Sequence, residues 1–110
     1  MNLTNKVLKL LGMKLAADML ENPVPSEQKL FRAILTLALE DVLSNSQGRH
    51  ESVVKAEAHD WFMSDSEDYK NVCSIAGLES DWVRERYVKA LDSGQVVFTM
   101  KQHLQVKYTR

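Results

Sequence analysis

Tyr69-Lys70-Asn71-Val72-Cys73-Ser74-Ile75-Ala76-Gly77-Leu78-Glu79-Ser80-Asp81-Trp82-Val83-Arg84-Glu85-Arg86 is the stretch whose reading decides the fold. Tyr69, Val72, Cys73 and Ala76 recur at the three- and four-residue steps of a helix face, and Gly77 breaks the run. Ser80 is a candidate cap for a second helix carrying Val83, Tyr87 and Leu91 on its apolar face, with Trp82 and Val88 at the edges. A small residue such as Cys73 lets the second helix pack across the first. Glycine takes the turn, and Val72, Ala76, Leu78 and Val83 fill the angle between the helices. Arg86 departs from this pattern, standing where an apolar residue is usual, with Tyr87 beside it. On spacing alone the stretch fits both a helix-turn-helix and an ordinary helix-loop-helix corner of a bundle.

Outward from this corner, Ser64-Asp65-Ser66-Glu67-Asp68 supplies caps and early acidic residues for the first motif helix, and Asp92-Ser93-Gly94 ends the second. Beyond Gly94 the period changes to two. Val96, Phe98 and Met100 alternate with Val97, Thr99 and Lys101, and Leu104, Val106 and Tyr108 alternate with Gln105, Lys107 and Thr109, which predicts a strand pair over 95–109. Lys101-Gln102-His103 between them lacks the signal of a tight hairpin. Upstream, Val53, Val54, Ala58 and Trp61 mark a helix from about His50 to Phe62. The turn-forming Ser44-Asn45-Ser46-Gln47-Gly48 separates it from a helix begun at Ser26 and carrying Leu30, Phe31, Ile34, Leu35, Leu37, Ala38, Val42 and Leu43. Asn22-Pro23-Val24-Pro25 divides that helix from an amphipathic one over Thr4–Leu20, with Val7, Leu8, Leu11, Leu15 and Met19 among Lys6, Lys9 and Lys14. The expectation is a mainly α single domain of about five helices including a helix-turn-helix, with a short C-terminal β-strand pair. It divides into an N-terminal helix over 1–22 that is a dimer-interface candidate, a helical core over 26–92 and the strand pair. Helix-turn-helix followed by two strands is also the order of a winged helix.

A chain of 110 residues, 45% hydrophobic and 26% charged, suits one globular domain. The lone Cys73 cannot form an internal disulfide and no Cys/His grouping has zinc-like spacing, so a cytoplasmic protein without a metal or other cofactor is expected. Lysines interrupt the apolar N-terminal stretch as they would neither a signal peptide nor a membrane span. A net charge of −1 excludes a globally basic nucleic-acid binder and leaves local patches open.

Arg32-Ala33-Ile34-Leu35 with Ala38-Leu39-Glu40-Asp41, then Ala58-His59-Asp60-Trp61-Phe62-Met63-Ser64-Asp65, then Tyr69, Val72-Cys73, Ala76-Gly77-Leu78 and Val83-Arg84 resemble a group of small helix-turn-helix proteins of bacteriophages, prophages and gene-transfer-agent-like elements. The likeness runs from about Arg32 to Leu91. Trp61-Phe62 with the later Val-Cys and Ala-Gly-Leu is its most specific part. The resemblance implies DNA binding in transcription regulation, and no catalysis.

The expected DNA-binding residues are Ser80, Arg84, Lys89 and Lys101. With Val83 and Tyr87 inward, Arg84 lies about 100° round the helix and can face a groove, reading a base while Lys89 and Lys101 hold phosphates and Ser80 makes a lesser contact. Arg86 is expected to pair with nearby carboxylates. Against this, Glu79, Asp81 and Glu85 put acid on the same helix. A second acidic run, Glu57, Asp60, Asp65, Glu67 and Asp68, suits helix caps, solvent or a basic protein partner. His50, His59 and His103 show no triad arrangement, and Glu57, His59 and Asp60 stand too close in sequence to close a metal site. Trp61 and Trp82 read as core or core-edge aromatics. The function expected is that of a non-enzymatic, sequence-specific DNA-binding regulator of phage or mobile-element origin, acting as a homodimer on double-stranded DNA and away from membranes. The alternative is a protein-interaction factor that binds or inhibits host machinery.

Overall fold

The computed structural model describes residue 10 and residues 26–103. Apart from Leu10, the expected N-terminal helix, with Leu11 and Leu15 expected to be central to a dimer interface, lies outside them, as does the expected strand over 104–109. Among the described residues the main helices are α1 (Ser26–Leu43), α2 (Arg49–Met63), α3 (Glu67–Ala76) and α4 (Ser80–Ser93). Leu10 is also helical and is buried in the core.

Each helix turns one stripe inward. Leu35, Leu39, Val42 and Leu43 of α1 meet Ala58 and Phe62 of α2, Tyr69, Val72 and Cys73 of α3, and Val83, Tyr87 and Ala90 of α4 in a single core. Phe62 lies at its centre, stacked on Tyr87 at 4.8 Å and edge-on to Trp61 and Tyr69. The expected inward face of α4 therefore holds at Val83 and Tyr87, with Ala90 in the place expected for Leu91, which is half-buried. α1 differs from expectation: Leu30 is 59%, Ile34 40% and Leu37 60% exposed. The core takes the 35, 39, 42 stripe, and at about 100° per residue Leu30 and Leu37 fall on the opposite, outward side of the helix with Ile34 between that side and the core.

The helix ends explain the connections. The Ser66 hydroxyl accepts from the Tyr69 amide at the start of α3, whose first turn carries Glu67 and Asp68 against the positive end of the helix. Gly77 ends α3 at φ 84°, with Leu78 N–H donating to the Cys73 carbonyl and Gly77 N–H to that of Ser74, the two bonds of a Schellman motif. Gly94 closes α4 in the same conformation. The expected Ser80 cap is corrected: Glu79 holds the cap position without a side-chain bond, and Ser80 is already helical.

The expected strand after Gly94 is also corrected. No strand occurs among the described residues. Residues 96–99 are irregular and residues 100–103 are helical. Thr99 and Gln102 form a reciprocal capping box: the Thr99 amide donates to Gln102 Oε1 (3.0 Å) and the Gln102 amide to Thr99 Oγ1 (3.2 Å). The alternation is real for three residues, with Val96 buried, Val97 exposed and Phe98 half-buried, but side chains of α2 take up the segment. Buried Lys55 donates to the carbonyls of Ser44 (2.8 Å) and Val97 and lies over the Phe98 ring. Gln102 donates to the Ser46 carbonyl and to Ser52 Oγ, each at 3.1 Å. From α4 onward the chain thus runs back along α2.

Candidate nucleic-acid interface

The α3–Gly77–α4 corner is built as its sequence suggested, and it is braced from a place that no local pattern marks. Arg32 Nε and Gln28 Nε2, both on α1, donate to the Ala76 carbonyl at 2.9 and 3.3 Å. That carbonyl is among those left without a partner where α3 ends. On the inner side, the Tyr69 hydroxyl donates to the Ser80 carbonyl at 2.7 Å, tying the two motif helices together. Ala76 is fully buried and Leu78 packs against the core, so the joint expected from Trp61, Phe62, Val72, Ala76 and Leu78 is assembled.

The expected DNA-binding residues do not form one surface. Ser80 lies in a shallow polar groove of about 350 Å³ at the corner with Lys70, Ser74 and Glu79, floored by Gly77 and Leu78. Arg84 is turned to the protein itself. Its Nε donates to the Phe62 carbonyl at 3.1 Å, near the open end of α2, one terminal nitrogen bonds Asp65, and the other lies 3.6 Å from Asp81. The guanidinium also lies over the Tyr69 ring. Its bond to Asp65 holds the Asp65 carboxyl below the usual carboxylate range and raises the Arg84 pKa further. Lys89 is exposed and pairs with Glu85 at 3.4 Å. Lys101 is exposed in the helical residues 100–103, beside Gln102, which bonds Ser52 near the start of α2, whereas Arg84 bonds Phe62 near its end. Ten residues of helix separate those levels, roughly 15 Å. Arg86, expected to pair with carboxylates, instead donates to the Leu10 carbonyl (3.1 Å) and lies over the Trp82 ring.

The outer side of α4 is acidic: Asp81, Glu85 and Asp92 are exposed, and Lys89 is the exposed cation among them. Lys70 at the corner is drawn to Asp65 and Glu67, at 3.6 and 3.9 Å. Burial pushes the Cys73 thiol up, which keeps it protonated and a poor nucleophile. His59 Nδ1 is bonded to the buried Tyr87 hydroxyl, and its ring meets Phe98 edge-on. Among the described residues no three His, Cys, Asp or Glu side chains are grouped to hold a metal ion. No helix among them is long and apolar enough to cross a membrane. No family model, curated protein or solved structure matches the chain.

Proposed function

We propose that this protein is a small, cytoplasmic, non-enzymatic DNA-binding regulator of phage or mobile-element origin that acts as a homodimer and presents the α3–Gly77–α4 corner to double-stranded DNA. The observation that carries the proposal is the corner itself: a left-handed glycine turn between two helices, braced by Arg32 and Gln28 and opening onto a polar groove that holds Ser80 and Lys70. Origin and regulatory role rest on the sequence resemblance. In this reading Ser80 makes a backbone or phosphate contact. Lys89 exchanges Glu85 for a phosphate, and Arg84 reaches a base by exchanging Asp65 for it. Lys101 adds a phosphate contact outside the corner.

The test is a salt-dependent binding assay on DNA flanking the protein's own gene. Affinity should fall steeply with salt, and Lys89→Ala should reduce the log–log slope by about one unit while weakening all sequences alike. Absence of binding at low salt would overturn the reading. A second reading, a factor that binds a host protein, is favoured by the outward acids of α4 and by the engagement of Arg84 within the fold. It takes first place if DNA binding is absent.

A further inference from the structure

We propose that the seam between α1 and α2 is a docking groove for an amphipathic helix of a partner protein whose apolar stripe is flanked by lysine or arginine. Ile34 and Ala38 of α1 and Val54, Ala58 and Trp61 of α2 line an open groove of about 320 Å³. On α2 the 54, 58, 61 spacing is one helical face, and on α1 exposed Leu30 and Leu37, one helical step before and after Ile34, lie just outward of the groove's lining. The stripe from Leu30 to Asp41 is roughly 16 Å long, enough for about three turns of a docked helix, the length over which i, i+3/i+4 and i+7 anchors are read.

Charge decides the occupant. The polar residues lining the groove are Asp41, Glu57 and Asp68, with no base among them. Asp68 is held in place by the Trp61 indole, which donates to its carboxylate at 2.8 Å. Burial and the neighbouring Glu40 raise the Asp41 pKa, so its charge is poorly solvated and gains from an incoming cation. Such a rim repels nucleic-acid phosphates and anionic lipid headgroups. A second copy laid groove to groove about a two-fold axis would bring two acidic rims together, since every charged residue of the lining is an acid. A cationic helix meets both the apolar floor and the acidic rim. The groove lies apart from the Ser80 corner and does not depend on the DNA-binding reading.

The experiment uses the whole chain and a fluorescent helical peptide of about 18 residues, with leucines at i, i+4 and i+7 and lysines on both flanks, beside a counterpart with glutamates in place of the lysines. The lysine peptide should bind, the glutamate peptide at least about tenfold more weakly, and affinity should fall with salt. Ile34→Lys, at a partly exposed position that tolerates the change, should weaken the lysine peptide by about tenfold or more while leaving the melting temperature and DNA binding as in the parent. Asp41→Asn should weaken it less and flatten the salt dependence. The proposal is overturned if the lysine peptide does not bind, if the two peptides bind alike, or if Ile34→Lys binds as the parent does. It is also overturned if sedimentation shows a dimer that Ile34→Lys returns to monomer, because the groove then belongs to a second copy.

Discussion

Gly77 and Ala76 hold the corner by two different physical means. Gly77 sits at φ 84°, where a side chain is strained, and a Cβ there would run into the Gln28 side chain. Gly77→Val should therefore lower the melting temperature through backbone strain and the displacement of Gln28, whereas Ala76→Leu overfills a fully buried site and should cost about 1–3 kcal/mol. An unchanged melting curve for Ala76→Leu would place that residue outside the joint. Arg84 serves Phe62, Asp65 and Asp81 at once with a planar fork. Arg84→Lys should accordingly lose nearly as much thermal stability as Arg84→Ala, since an ammonium cannot span the same partners. The two carboxylates with shifted pKa values act in opposite directions. Asp65, lowered by Arg84, contributes stability that is present above the ordinary carboxylate value of 3.8 and is lost as pH falls through its folded pKa. Asp41, raised by burial, favours the fold in its protonated form, and that contribution fades as pH rises through its folded value. Asp41→Asn should thus raise the melting temperature at pH 7 and lose that advantage in acid, which a pair of thermal melts will measure.

Among the elements, the helices were legible because their ends are written in side chains as well as in period. Ser66 before Glu67 and Asp68, Gly77 after Ala76 and Gly94 after Ser93 each stand where the chain starts or stops a helix. The segment after Gly94 was misread because Val96, Val97 and Phe98 do alternate, while the Thr99-Met100-Lys101-Gln102 capping box, equally visible in the letters, fixes the next turn as helix. Thr99→Val separates the two outcomes. Valine suits a strand, but here it removes the hydroxyl that accepts from Gln102 and should destabilise the protein by about 0.5–2 kcal/mol. An equal or higher melting temperature would sink the helical assignment. The candidate site was less legible than the helices. The turn and its joint follow from local pattern, but the engagement of Arg84 depends on Asp65 and Phe62, 19 and 22 residues earlier, and the brace from Gln28 and Arg32 spans 48 and 44 residues. Periodicity carries no information over such separations.

Over the whole molecule, α2 is the spine along which the later chain is laid. Phe62 meets Arg84, His59 meets Tyr87, Lys55 meets Val97 and Ser52 meets Gln102, four levels descending one helix while the sequence ascends. Removing everything after Gly94 would strip Lys55 and Ser52 of these partners. Hydrogen exchange on such a truncation should show faster exchange in the first half of α2 and near-parent protection at the corner. Uniform protection would mean that the return segment contributes nothing. The position of Asp65 between these levels constrains what can stand there. It is the one non-glycine residue at positive φ (56°) among those described, and its carboxylate also holds Arg84 and lies near Lys70. Asparagine would accept the backbone but give up the charge, glutamate would keep the charge but resist the conformation, and glycine would relax the turn and release both cations. In a screen of all substitutions at this site, no single replacement meets both demands, so this exposed loop position should tolerate substitution less well than its exposed neighbours, with asparagine and glycine the mildest changes.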